Sequence, residues 1–504
     1  MSALRSGPSA RNAALVCALV AAALLLGMGT SLFGGRLVLL ALAALVPLPL
    51  IFRDYRVGAV LLTLLLPISA MLPPIRGLNV LNFVTGATLA SFALREAFAA
   101  PDQRVVALPR ALVWCFWLPA TWGILLAWPH IPEGLRNYPA LDNAREVFAP
   151  WAYVTGRYLK PVFYYLAYAF LLANAVRDSR RPERFTIALA ASAVLPALAV
   201  LVTVARYPGS LVDVSLDREF MAPRGMHANE FGMLLALAAG PLLFMAGGAR
   251  SALWRRSMLA TFALVTLALL LTFSRGALLA YLIVVAGYLL HHKRIKTILM
   301  SALLATLVLI AAPDSMKERF GTGLREGALS DTSQVEHDDL TAGRMHGWAL
   351  LAPEVLDSPW LGRGLGSTQW SHAVAMGAYQ ANHPHNIYLE ILMDLGVLGL
   401  AAMAWLHALY LRRYRQLAQD TQLAPELRAF FLGARYSLLG MLAMAFTTAY
   451  FMPNAAQAFH WFALGLAFAY WPQPSARHAS RQVFQRVAPK GLSPSEFGPP
   501  RPLA

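Results

Sequence analysis

The chain has 504 residues, of which 58% are hydrophobic and only 13% charged, a balance that excludes a soluble globular enzyme. Its 42 Lys and Arg against 26 Asp and Glu leave a formal charge of +16. That charge lies mostly in short connections between apolar runs, the pattern of membrane-protein loops, and so argues against a nucleic-acid partner. The two cysteines, Cys17 and Cys115, fall inside apolar runs and support neither a disulfide framework nor a cysteine metal site.

Taken in order, the apolar runs predict helices over 13–33, 36–52, 57–73, 80–99, 107–128, 158–177, 184–206, 229–248, 256–273, 275–290, 297–312, 386–411, 428–449 and 455–472. The fold class is therefore all-α and polytopic, with about 12–14 transmembrane helices. Arg5 and Arg11 precede the first run as in a signal peptide, but no small-residue cleavage site follows, so it reads as a retained helix. Alternate connections are rich in arginine: Arg53–Arg56, Arg95–Arg104, Arg177–Arg184, Arg250–Arg256, His291–Lys296 and Arg412–Arg415. They and the tail holding Arg477, Arg481, Arg486 and Lys490 are expected in the cytoplasm. The intervening connections, 128–157, 206–229 and 313–385, are expected on the other face, which in a bacterium is the periplasm.

The longest of these divides the chain into N-terminal membrane helices (1–312), a large outer loop (313–385), C-terminal membrane helices (386–472) and a tail (473–504). Within the loop, Arg344–Leu356 has helical spacing with Trp348 and Leu351 on one face, and Asp357-Ser-Pro and Gly362–Gly366 are turn signals. Ser330–Asp339 is polar and acidic, and the tail is rich in Pro, Ser and Arg, a composition that favours disorder.

The polar residues on the outer face carry the chemistry. In His383-Pro384-His385-Asn386, proline disfavours helical angles before it and Asn386 is a candidate cap for the next helix. This sets His385 at the lip of a membrane helix, with His383 beside it. An imidazole exchanges protons near neutral pH, whereas His-x-His without a third ligand is poor evidence for zinc. Arg275 lies between two apolar runs on a face where arginine is disfavoured, and a bound anion explains it better than an interfacial anchor. Arg224 belongs to a Gly-containing turn opening a helix that Asn229 is placed to cap, while Arg344, Arg157 and Lys160 add cations on the same side. Arginines match phosphate geometry, and a membrane-bound anion points to a lipid phosphate or diphosphate. A neighbouring histidine suits general-base activation of a hydroxyl, with arginines stabilising the departing diphosphate. Neither paired Asp residues for Mg²⁺ nor a Gly-rich nucleotide loop accompanies these sites.

At these residues the chain resembles the O-antigen ligase and polymerase family. The resemblance rests on His383-Pro-His385-Asn386 with Leu389 and Gly396–Gly399, on Ser274-Arg275, on Gly343-Arg344 and, loosely, on Arg224-Gly225. It implies a metal-independent, cofactor-free glycosyltransferase of the inner membrane whose site faces the periplasm. His385 would deprotonate an acceptor hydroxyl, with His383 as its neighbour. Arg275, Arg344 and Arg224 would hold the undecaprenyl diphosphate of the donor. The loop length favours a ligase that joins O-antigen to lipid A–core oligosaccharide. A polymerase or protein O-oligosaccharyltransferase of the same family is the alternative. A polysaccharide transporter fits less well, since the cations gather at one face and no internal repeat is seen.

Overall fold

The computed structural model describes residues 47–72, 80–98, 105–207, 226–249, 251–292, 344–377, 383–448 and 451–472, and among them there is no strand. The helices are α1 (Tyr55–Met71), α2 (Val80–Ala97), α3 (Arg110–Ala127), α4 (Pro150–Arg177), α5 (Pro182–Arg206), α6 (Ala228–Gly248) and α7 (Ala252–Leu270). Then come α8 (Arg275–His291), α9 (Arg344–Leu351), α10 (Ile387–Gln419), α11 (Pro425–Met444) and α12 (Ala455–Ala469). Among the described residues seven helices (α3 to α7, α10 and α11) are long and apolar enough to cross a membrane, and α1, α8 and α12 are shorter apolar helices. The chain is an all-α, multi-pass membrane protein.

The spans expected at 13–33 and 297–312, most of that at 36–52, and the tail lie outside the described residues. Three expectations change in detail. Helix α2 was expected to span, but its 18 residues include Asn82 and, in the last turn, Arg95 and Glu96, and it is not among the seven. Helix α4 starts at Pro150 rather than near 158, because Pro at a first helical position is compatible with helix initiation. Helix α10 runs on to Gln419, so Arg412–Arg415 form its continuation and not a connection; Leu, Arg and Gln there are good helix formers.

Helix α6 is the axis of the bundle. Every residue from Phe231 to Ala246 is buried, as expected of a helix that is apolar all round. It packs against α5, α7, α8, α11 and α12, most extensively against α11. At that contact Gly240 and Gly433 face each other, and a Cβ on either would stand 2.4–2.5 Å from the other's carbonyl oxygen. This is the close backbone approach that small residues permit between membrane helices. Pro241 in α6 lacks the N–H that would bond the carbonyl of Leu237. The hydroxyl of Ser437 in α11 donates to that carbonyl at 3.0 Å and repairs the gap.

Three of the arginine-rich connections meet at one end of the bundle. Arg95 and Tyr55 both hydrogen-bond the Asp178 carboxylate, and Arg56 donates to the Asp178 carbonyl at 3.2 Å. Arg157, about two turns into α4, and Arg177, at its end, lie about 30 Å apart along its axis. Arg157 therefore sits about a membrane's thickness away from this basic end.

Ser437→Ala should leave the Leu237 carbonyl buried and unpaired. We expect a loss on the order of 1 kcal/mol, read as a lower unfolding temperature of the detergent-solubilised protein; an unchanged melt would show that the carbonyl finds another donor.

Candidate active site

The histidine motif is held by backbone geometry. The Asn386 side chain caps α10, accepting from Tyr388 N at 3.0 Å and Leu389 N at 3.2 Å, as its place in the sequence leads one to expect. Immediately before it, His385 adopts a left-handed conformation (φ 46°) and points an exposed ring outward. His383 is half-buried, its ring centroid 6.2 Å from that of His385. Two contacts fix the motif from either side: Ile387 N donates to Ala445 O at 2.9 Å, and the Trp348 indole of α9 donates to Pro384 O at 2.6 Å. The short helix that the sequence places in the outer loop thus forms, with Leu351 fully buried, and Trp348 clasps the histidine loop.

Below the motif, α10 is broken. Gly396 takes φ 66° and ψ −169°, a region open essentially only to glycine. A break in a helix leaves carbonyls orphaned on one side and N–H groups on the other. The segment 359–364 satisfies both sets. Arg363 N and Gly364 N donate to the carbonyls of Met393 (2.8 Å) and Asp394 (3.0 Å), and Val397 N and Leu398 N donate to Pro359 O (2.8 Å) and Trp360 O (3.3 Å). Gly362, Gly364 and Gly366, seen in the sequence as turn signals, have φ of 74°, 94° and 87°. Leu365 N bonds Gly123 O of α3 at 2.9 Å, which wedges the loop between α3 and α10. The buried Asp394 carboxylate then accepts from Gly366 N (2.9 Å), Ser367 N (2.9 Å) and Ser367 Oγ (2.7 Å). Glu354, also buried, pairs with Arg363 and accepts from Ala373 N at 3.1 Å.

These elements wall a cavity of about 230 Å³. Its lining includes Arg157 and Tyr158 from a π-helical turn of α4 (Thr155–Leu159), a distortion that recurs at functional sites. Glu230 comes from the first turn of α6, Gly366 and Thr368 from the wedge loop, His383 from the motif, Glu390 from α10, and Asn454 from the turn before α12. Arg157 is oriented by Tyr153, donating to its hydroxyl at 3.2 Å with the guanidinium 5.5 Å from the ring centroid. Burial, with Arg157 and His385 adding to it, pushes His383 down to about 4, so its imidazole is neutral at physiological pH.

Of the residues singled out from the sequence, the structure brings His383 and Arg157 together in this cavity. His385 stands outside at its exposed position, and Lys160 is exposed at the end of the π-helical turn. Arg275 is half-buried and opens α8 behind the cap Ser274, whose Oγ accepts from Ala277 N at 3.3 Å. It does not line the cavity, but its turn is held at the same end of the bundle. Gly232 of α6, just past Glu230, packs on Ser274 and Ala277, and Gly276 faces Thr447. Arg344 opens α9, the helix clasping the histidine loop. Arg224 lies outside the described residues. Asn229 does not cap α6: His227 is the cap, its Nδ1 accepting from Asn229 N at 3.4 Å, while Glu230 accepts from His227 N at 2.8 Å. The reciprocal pairing uses both orphan donors and displaces the simpler Asn cap. Glu230, Asn454 and Asp394 carried no signal of their own, since each meets other site residues from far off in sequence, and Glu390 reads from the sequence only as a carboxylate in the first turn of a helix.

Residues 260–404 match the family model for O-antigen ligase. The match takes in Arg275, Arg344, His383, His385 and the α10 break, and leaves Arg157 and Lys160 outside it. It bears out the family resemblance drawn from the motif residues, and no curated protein matches the chain.

The folded protein keeps His383 neutral down to about pH 4, whereas the unfolded chain protonates it near 6.5. The stability this gives is complete above pH 6.5 and is lost as the pH falls from there towards 4. His383→Gln should therefore flatten the acid-side decline of the melting temperature over that window; a decline of unchanged steepness would mean that His383 is not held neutral.

Proposed function

We propose that this chain, a multi-pass protein with an O-antigen ligase family domain, transfers a glycan from undecaprenyl diphosphate to a sugar hydroxyl of lipid A–core oligosaccharide at the periplasmic face of the inner membrane. The observation that carries the proposal is the pairing of a neutral His383 with Arg157 in one cavity, at the bundle end remote from the arginine-rich connections. The positive-inside pattern supports a cytoplasmic location for that basic end and an outer-face location for the cavity.

In the proposed reaction, the acceptor oxygen attacks the anomeric carbon and gives its proton to the His383 imidazole. The bond from that carbon to the diphosphate oxygen breaks, and its electron pair leaves with the diphosphate. An imidazole with so low a pKa is fully deprotonated at pH 7 but weakly basic, so the proton moves late, after the forming bond has acidified the hydroxyl. Arg157 and Arg275 supply positive charge for the departing diphosphate, with Arg344, Arg224 and Lys160 as further cations on the same face. Guanidinium charge takes the part that a metal plays in other diphosphate chemistry, and direct displacement inverts the anomeric centre. His385, at the mouth, is the alternative base.

The test is transfer from an undecaprenyl-diphosphate glycan to purified lipid A–core in the presence of EDTA. Wild type should make product, and His383→Ala should lower kcat by about 10²–10⁴-fold, with Arg275→Ala also impaired. The acid limb of kcat/KM should fall near pH 4 and not near 6.5. Loss with His385→Ala but not His383→Ala would transfer the base to His385. A donor that lengthens on itself while lipid A–core accepts nothing would make the protein a polymerase, and a retained anomeric configuration would end the displacement scheme.

A further inference from the structure

The cavity holding His383 is lined on its other walls by groups that accept hydrogen bonds. Glu230 and Glu390 bring carboxylates, and Asn454 brings an amide oxygen that is buried with no hydrogen-bond partner among the described residues. A buried acceptor left unpaired is costly, and its presence in a cavity marks a place where a donor is to arrive. A diphosphate offers only acceptor oxygens and negative charge, so it would meet two carboxylates at a Coulomb cost in a partly dry site. A sugar ring offers hydroxyl groups, each donating one proton and accepting through its oxygen. At about 230 Å³ the cavity is also smaller than the roughly 300–1,000 Å³ typical of drug-sized ligand sites. It suits one ring and not an oligosaccharide.

We infer that this cavity seats the accepting sugar ring, with Glu230, Glu390 and Asn454 receiving hydrogen bonds from its hydroxyl groups, and that the donor diphosphate lies outside it. The ring's role as acceptor rests on the transferase reading above; its binding does not. Tyr158 donates to a ring or hydroxyl oxygen from the opposite wall, Arg157 turns its charge to the diphosphate at the cavity's edge, and His383 faces the hydroxyl that reacts. Glu230 is fixed for this by its bond from His227 N, which leaves its second oxygen, Oε1, for the ligand. The three acceptors come from α6, α10 and the turn before α12, so the site exists only in the assembled bundle.

The experiment measures binding to the full-length protein in nanodiscs of two probes. One is core oligosaccharide released from the source cell's lipopolysaccharide by mild acid, the other inorganic pyrophosphate. Glu390→Gln and Asn454→Leu should each weaken oligosaccharide binding by about tenfold or more, with pyrophosphate binding no tighter than in wild type. In the transfer assay the same variants should raise KM for the acceptor and leave KM for the donor unchanged. Glu230→Gln is the third variant, and Glu390→Gln decides alone if loss of the α6 cap unfolds it. Tighter pyrophosphate binding with unchanged oligosaccharide binding would make the cavity the diphosphate seat and overturn the inference, as would a wild type that binds no oligosaccharide. Oligosaccharide binding that depends on these residues in a protein that transfers nothing would keep the sugar site and remove the transferase reading. Transfer with acceptor KM unmoved in the variants would do the reverse.

Discussion

The structure depends on how the broken helix α10 is completed. Inside a bilayer no water is at hand to satisfy a free backbone group, so an interrupted helix is tolerated only where protein supplies the missing partners. Here the partners are backbone groups of the wedge loop, which donates two N–H bonds to the carbonyls of Met393 and Asp394 and accepts two from Val397 N and Leu398 N across the gap at Gly396. The Asp394 carboxylate accepts three more bonds from the same loop. A single strip of chain thereby joins α10 and α3 and presents Gly366 and Thr368 to the cavity.

That arrangement explains why charged and polar groups can be assembled at this end of an otherwise apolar bundle. Each is held by a specific local device: the π-helical turn for Arg157, a capping box for Glu230, the Asn386 cap and Trp348 clasp for the histidine loop. None of these devices uses the apolar packing on which the bundle itself relies, which is centred on α6 and its glycine contact with α11. Packing places the helices, and polar backbone chemistry places the site.

Much of this was legible in the sequence. Hydropathy located most of the described helices, because a bilayer imposes length and apolarity on each span independently of its neighbours. The histidine motif, the Asn386 cap and the Gly362–Gly366 turns were readable because each is a local backbone effect. What was not readable was pairing. Gly362–Gly366 announces a turn, yet nothing local tells that its amides meet carbonyls some thirty residues on. Arg157 was visible as a cation, but the π-helical turn that aims it has no short sequence signature. Glu230 was hidden behind Asn229, the better cap by type, and only the fold brings it to the cavity that His383 lines. For the same reason His385 looked the better placed imidazole: only the fold tells which of two rings is turned inward.

The direction of the chain gives the seal across α10 one more consequence. Residues 359–364 precede 393–398, so during synthesis the donors and acceptors that complete the helix have already left the ribosome when the break emerges. The first half of α10 carries carbonyls and the second half N–H groups that need the wedge loop in place, so neither half is complete in a bilayer before the loop docks. Stable insertion of this helix and docking of the loop are thus coupled, each completing the other's backbone hydrogen bonds.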